Sequence, residues 1–181
     1  MTVRLFALGL LAAALFAVQP AAAQERHQNP HEEAPAAGGE SPENIFTIER
    51  DDTEMAAAEA TARRSLPDFW KRHETDAEVR ETGVVQVKFP TSDNGREDMW
   101  VSDLKRAGGK ITGILANEPV AVPSLKSGQT VTVDPANIID WGYRRSGLRY
   151  GYFTARLLVS RMSPEEAKQF GGEFAATTIE P

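Results

Sequence analysis

Two carboxylates with aromatic neighbours are the residues best suited to chemistry. Glu118 follows Asn117 in an Asn-Glu-Pro string, and Asp140 directly precedes Trp141. An indole beside a carboxyl group excludes water and raises its pKa, which a general acid working at neutral pH requires. If Glu118 and Asp140 converged, they would serve as acid and base on a sugar, with Trp141 and Tyr143 stacked on the ring. The same residues have a plain structural reading. Asn117-Glu118-Pro119 makes an Asx-type turn, and Asp140 can accept backbone hydrogen bonds or pair with Arg144 or Arg156. The structural reading is preferred, because nothing in the sequence fixes the separation of the two carboxyls.

Other chemistries lack their residues. The chain has no cysteine, which removes disulfides, thiolate nucleophiles and thiolate zinc sites together. His73 is the one histidine of the stretch expected to fold and is read as a solvated residue at the end of a polar helix; no Gly-x-Ser-x-Gly elbow accompanies it. His27 and His31 are four apart, a metal-ligand spacing only on a helix, and Pro30 between them opposes one. Gly108-Gly109 before Lys110 lacks the spacer and hydroxyl of a phosphate loop and reads as a hairpin turn. No metal or cofactor is expected. Arg144, Arg145 and Arg149 flank the Ser146-Gly147 hairpin, a tip that either binds an anionic partner, such as an envelope polymer or the chain's own acidic segment, or is simply solvated. A ligand surface would comprise Asn117, Glu118, Trp141, Tyr143, Arg144, Arg145, Tyr152 and Arg156.

The whole chain bounds what those residues can serve. Its 181 residues suffice for one ordinary domain. A net charge of −6 has the wrong sign for gripping nucleic acid through phosphates. The start reads as a cleavable signal: Arg4, an apolar run from Leu5 to Val18, Pro20, then Ala21-Ala22-Ala23. The run falls short of the about 20 residues a membrane span takes, so export without an anchor is expected, to the periplasm or beyond. Losing Arg4 brings the net charge to −7, of which four reside in residues 24–50. Rich in Glu and Pro and poor in apolar residues, that segment should be a flexible acidic linker, apart from Ile45, Phe46 and Ile48, which can dock as an extended piece.

The domain expected over 51–175 opens with caps at Asp52 and Thr53 and an alanine-rich helix over Met55 to Ala62. Ser65-Leu66-Pro67-Asp68 repeats a start signal, predicting a second short helix carrying Phe69 and Trp70 as core plugs. From Val84 the apolar period becomes two. Strands follow near 84–90, 97–104, 110–116, 130–133, 138–143 and 148–153, with Asp93-Asn94-Gly95 and Gly108-Gly109 as turns. Thr154 can cap a helix to Met162, with a strand as the alternative. Ser163-Pro164-Glu165-Glu166 starts a last helix that Gly171-Gly172 stops, and residues 176–181 should fray.

Several strings then occur in order at matching separations: Trp100-Val101, Leu115-Ala116-Asn117-Glu118-Pro119, Asp140-Trp141 and Gly151-Tyr152-Phe153-Thr154, framed by Ser65-Leu66-Pro67-Asp68-Phe69-Trp70 and Met162-Ser163-Pro164-Glu165-Glu166. Over about residues 57–172 the chain resembles the YegJ-like bacterial domain of unknown function. It departs where that pattern has Gly-Gly-Tyr-Thr and this chain has Tyr150-Gly151-Tyr152-Phe153-Thr154. The resemblance implies a small α+β domain and carries no activity. The expected fold is a strongly curved, barrel-like antiparallel sheet of about five to six strands with N-terminal and C-terminal helices. The expected role is a non-catalytic binding domain for a protein or envelope ligand, the alternative being a metal-independent hydrolase using Glu118 and Asp140.

Overall fold

A computed structural model describes residues 52–169 and 173–179 together with the strands 3–6 and 45–48. The rest of the expected leader and linker, His27, His31, Asp51 and the Gly171-Gly172 stop lie outside the described residues. In chain order the elements are β1 (Val3–Phe6), β2 (Ile45–Ile48), α1 (Thr53–Thr75), α2 (Ala77–Thr82), β3 (Val84–Pro90), β4 (Arg96–Ala107), β5 (Lys110–Leu115), β6 (Thr130–Val133), β7 (Ile138–Arg145), β8 (Leu148–Gly151), α3 (Phe153–Ser160), α4 (Pro164–Gln169) and β9 (Glu173–Phe174). A 3-10 turn over Pro135–Asn137 leads into β7. Among the described residues no helix is long and apolar enough to cross a membrane.

Helix α1 begins as the sequence indicates, with the Asp52 carboxylate accepting from the Met55 N–H at 2.9 Å. It then corrects the expectation of a break at Ser65. One helix of 23 residues runs through Pro67. The buried positions Met55, Glu59, Ala62, Ser65, Phe69, Trp70 and His73 form one stripe across the proline, so packing on the sheet outweighs the local start signal. Side chains also serve the turn before the proline. The Ser65 hydroxyl donates to the Thr61 carbonyl at 3.0 Å, and the Trp141 indole N–H donates to the Ala62 carbonyl at 2.9 Å. Asp76 then caps the unforeseen α2, accepting from the Glu78 and Val79 N–H groups, and Val79 is wholly buried.

The fold is α+β, with one mixed, mainly antiparallel sheet. Strand β4 is its hub: β3 pairs along one edge, while β1 and then β5 share the other. A bulge between Ser102 and Lys105, with Asp103 at φ 48°, interrupts the β4–β5 ladder. The order is β2-β1-β4-β3-β7-β8-β9, with β5 and β6 branching from β4. Strands β3 to β8 correspond to the six legible in the sequence. The barrel-like expectation is corrected to an open sheet, because among the described residues β2, β6 and β9 each pair on one side only. Two pairings, β1·β4 and β8·β9, are parallel.

The core lies between α1 and the sheet. Phe69 stacks on Trp141 at 5.4 Å between ring centres, and Tyr143 continues the stack 6.0 Å from Trp141. On the far side of β7, the chain crosses itself closely at Gly142, where an added Cβ would meet the Tyr152 ring at 2.3 Å. Helix α4 starts with a reciprocal capping box between Ser163 and Glu166. Near the C-terminus the Ala175 N–H donates to the Arg149 carbonyl and the Gly151 N–H to the Thr178 carbonyl. Substituting Gly142→Ala should therefore destabilise the domain by about 1–3 kcal/mol, the cost of overpacking a filled site. A urea unfolding midpoint unchanged from the parent would contradict that packing.

Candidate functional site

Asp140 is wholly buried and fully engaged. Its Oδ1 accepts from the Trp141 and Phe153 N–H groups at 2.7 and 3.1 Å, and its Oδ2 from the Thr154 N–H and hydroxyl at 2.8 and 2.6 Å. The Phe153 and Thr154 donors are the first turn of α3, whose N-cap Tyr152 sits in the left-handed region and supplies no side-chain cap. The carboxylate on β7 is thus a cap delivered from another element. This corrects the expectation that Thr154 caps α3: Thr154 lies inside the helix and turns its hydroxyl onto Asp140 and Gln86. Burial pushes the Asp140 carboxyl up to about 6, against the pull of its hydrogen bonds.

The other residues singled out from the sequence are scattered. Glu118 is exposed in the loop after β5, and neither it nor Asp140 lines the grooves described below. Asn117 accepts from the Trp100 N–H at 2.6 Å, closing the β4 edge. Buried Glu97, unnoticed in the sequence, holds the same loop by accepting from the Val120 and Ala121 N–H groups. Trp141, Tyr143 and Tyr152 are core residues, 1%, 0% and 4% exposed, and present no ring face to a ligand. Of the arginines, Arg144 is exposed, Arg145 pairs with Asp76 at 3.3 Å, and Arg149 is buried beside Tyr152 and Phe174. Arg156 donates to the carbonyls of Gly151, Ala175 and Arg149 and covers the Phe174 ring, fastening the C-terminal segment to β8. His73 corrects the solvated reading: it is buried against Phe69 and Trp70, and desolvation lowers its pKa.

A second carboxylate cluster was not legible in the sequence. Glu59 of α1 meets Arg63 at 3.3 Å, Lys88 of β3 at 3.0 Å and Arg96 of β4 at 2.7 Å. The same Arg96 nitrogen lies 3.1 Å from Asp98, which is wholly buried and whose oxygens accept no aligned hydrogen bond. Burial pushes the Asp98 carboxyl up to about 7 despite Arg96. Perturbed carboxyls often mark active sites. Here Asp98 lines neither the α1 groove nor the pocket at the β4–β5 hairpin, and the cluster works as an ionic strap between α1 and the sheet. Among the described residues, no three His, Asp or Glu side chains gather as a metal site.

What does face solvent is a groove along α1. Arg63, Leu66, Pro67, Trp70, Lys71 and Glu74, spaced three and four apart, form one helix stripe, and Arg106 of β4 closes it over a volume of about 450 Å³. Arg106 lies 4.8 Å over the Trp70 ring and pairs with Glu74 at 2.8 Å. A second pocket of about 280 Å³, which shares Glu74 and Arg106 with the first, lies along Gly108, Gly109 and Lys110 of the β4–β5 hairpin. A continuous helix through Pro67 would have shown the stripe in the sequence. Arg106, thirty-six residues beyond Trp70, had no such signal.

Residues 52–175 match the family described as an uncharacterized protein conserved in bacteria, DUF2314. The chain belongs to that family. It is 31% identical over 104 residues to the uncharacterized protein YegJ of Escherichia coli K12, covering 54% of this chain and 68% of that one. It is also 30% identical over 129 residues to a protein of Neisseria meningitidis serogroup B named for ankyrin repeats, covering 67% of this chain. The chain spans about half of that relative, 51% of its length. No solved structure matches.

Two expectations follow from the carboxylates. Asp140→Ala would strand the N–H groups of Phe153 and Thr154 in a buried turn, at a cost of about 3 kcal/mol in unfolding free energy; an α3 that retains full amide-exchange protection in the variant would refute the capping role. Asp98 has a folded-state pKa above its unfolded value of 3.8, so the fold prefers the proton. Its contribution is complete below about pH 4 and is lost as pH rises towards and through about 7. Asp98→Asn should therefore raise the melting temperature increasingly between pH 4 and pH 8, and a pH-independent difference would count against a buried, proton-preferring Asp98.

Proposed function

We propose that this protein is a non-catalytic interaction domain of the bacterial cell envelope, binding through the α1 groove and exported by an N-terminal segment whose cleavage takes β1 from the β4 edge. The groove carries the reading: it offers Leu66, Pro67 and three cations to solvent around a buried Trp70, while Asp140, Glu59 and Asp98 are committed to holding elements together. Shallow, open clefts of this kind suit a segment of a macromolecule better than a small substrate, which needs enclosure on most sides. The name of the Neisseria relative adds support, since ankyrin arrays are binding scaffolds. Export rests on the composition of residues 1–23.

Two measurements test this. Amino-terminal sequencing of the protein recovered from the periplasmic fraction should begin at Gln24, and an intact Met1 in the cytoplasmic fraction would remove the export step. A photo-crosslinking amino acid placed at Lys71 should give partner adducts in cells that the same probe at Glu165, on α4, does not. Equal adducts from both positions, or none from Lys71, would overturn the interaction reading.

A further inference from the structure

We infer that the groove takes an acidic, extended segment of a partner polypeptide, and that Glu74 occupies part of that site as an internal competitor. This deepens the interaction reading above and rests on it. The charge in the groove opposes that of the molecule. A protein of net charge −6 gathers Arg63, Lys71, Arg106 and Lys110 around two adjoining pockets in whose lining Glu74 is the one acid. Among the described residues no ion pair holds Lys71 or Lys110, so both ammonium groups are available to carboxylates. The floor between the cations is apolar, made by Leu66, Pro67 and the edge of Trp70. A segment that intersperses carboxylates among apolar side chains offers a group to each feature.

Glu74 already makes the contact such a ligand would make. Its carboxylate sits 2.8 Å from Arg106, and the two side chains are 61% and 44% exposed. An exposed pair of this kind is weak, so a carboxylate held by further contacts displaces it at little cost. On displacement Arg106 keeps its seat over Trp70 and changes only its anionic partner. Bare backbone at Gly108 and Gly109, where an added Cβ would touch nothing within 4 Å, leaves the second pocket open to the segment.

The test uses the purified full chain and two labelled peptides, one alternating glutamate with leucine and one with glutamine in place of glutamate, read by fluorescence anisotropy. The glutamate peptide should bind at least about tenfold tighter than the glutamine peptide, with the difference shrinking in high salt. Arg106→Ala and Lys71→Ala should each weaken it by about tenfold while melting like the parent. Glu74→Gln should bind it several-fold tighter, and Glu165→Gln, which removes the same charge from α4, should not. Equal binding of the two peptides, a Glu74→Gln effect no larger than that of Glu165→Gln, or equally tight binding of polygalacturonate would overturn the assignment. Should the Lys71 crosslinks in cells persist while the peptides fail, the interaction role stands and the acidic segment falls; loss of both removes both.

Discussion

The structure depends on one buried carboxylate reaching across from a strand to the open end of a helix. Helix α3 begins at a left-handed Tyr152 with no cap of its own, and its first N–H groups point into the protein. Left unpaired, each would cost about 1–3 kcal/mol. Asp140 satisfies them from the middle of β7, so the helix forms where the sheet places its acceptor. The neighbouring Gln86 on β3, Cα partner of Asp140, completes the network through the Thr154 hydroxyl.

Alternation along β7 makes that strand the joint of the fold. Successive residues point to opposite faces, so Trp141 and Tyr143 meet Phe69 of α1 while Asp140 and Gly142 face α3 and Tyr152. Gly142 is the space that lets Tyr152 close over the strand. The indole N–H of Trp141 in turn bonds the Ala62 carbonyl, in the turn that leads into Pro67. One strand therefore stabilises a proline-containing helix on one side and an uncapped helix on the other.

Charge inside this domain works for architecture. The Glu59 strap gathers cations from α1, β3 and β4, and Asp98 beside it is left short of hydrogen bonds, a cost that grows with its ionisation. Buried ion clusters of this sort add little net stability but fix which elements pair. The surface has the complementary arrangement. Beside Arg63, Lys71 and Arg106 line the α1 groove, and the exposed Arg106–Glu74 contact is weak enough to exchange its anion.

Much of the framework was legible in the residues. Alternating apolar positions marked β3 to β8, Asp52 and Ser163 marked two helix starts, and the strings from Trp100-Val101 to Gly151-Tyr152-Phe153-Thr154 marked the family, because these signals are local and periodic. Local signals misled at Ser65-Leu66-Pro67, where a start motif lies inside a helix that packing keeps whole, and at Trp141, Tyr143 and Tyr152, whose polar tips suggested a surface. What tertiary structure alone decided is which distant groups meet: Asp140 with α3, Glu59 with Lys88 and Arg96, Arg106 with Trp70 and Glu74. A sequence states each residue's chemistry and its spacing to near neighbours, whereas a carboxylate's role as cap, strap or ligand is set by the partner that folding brings within about 3 Å.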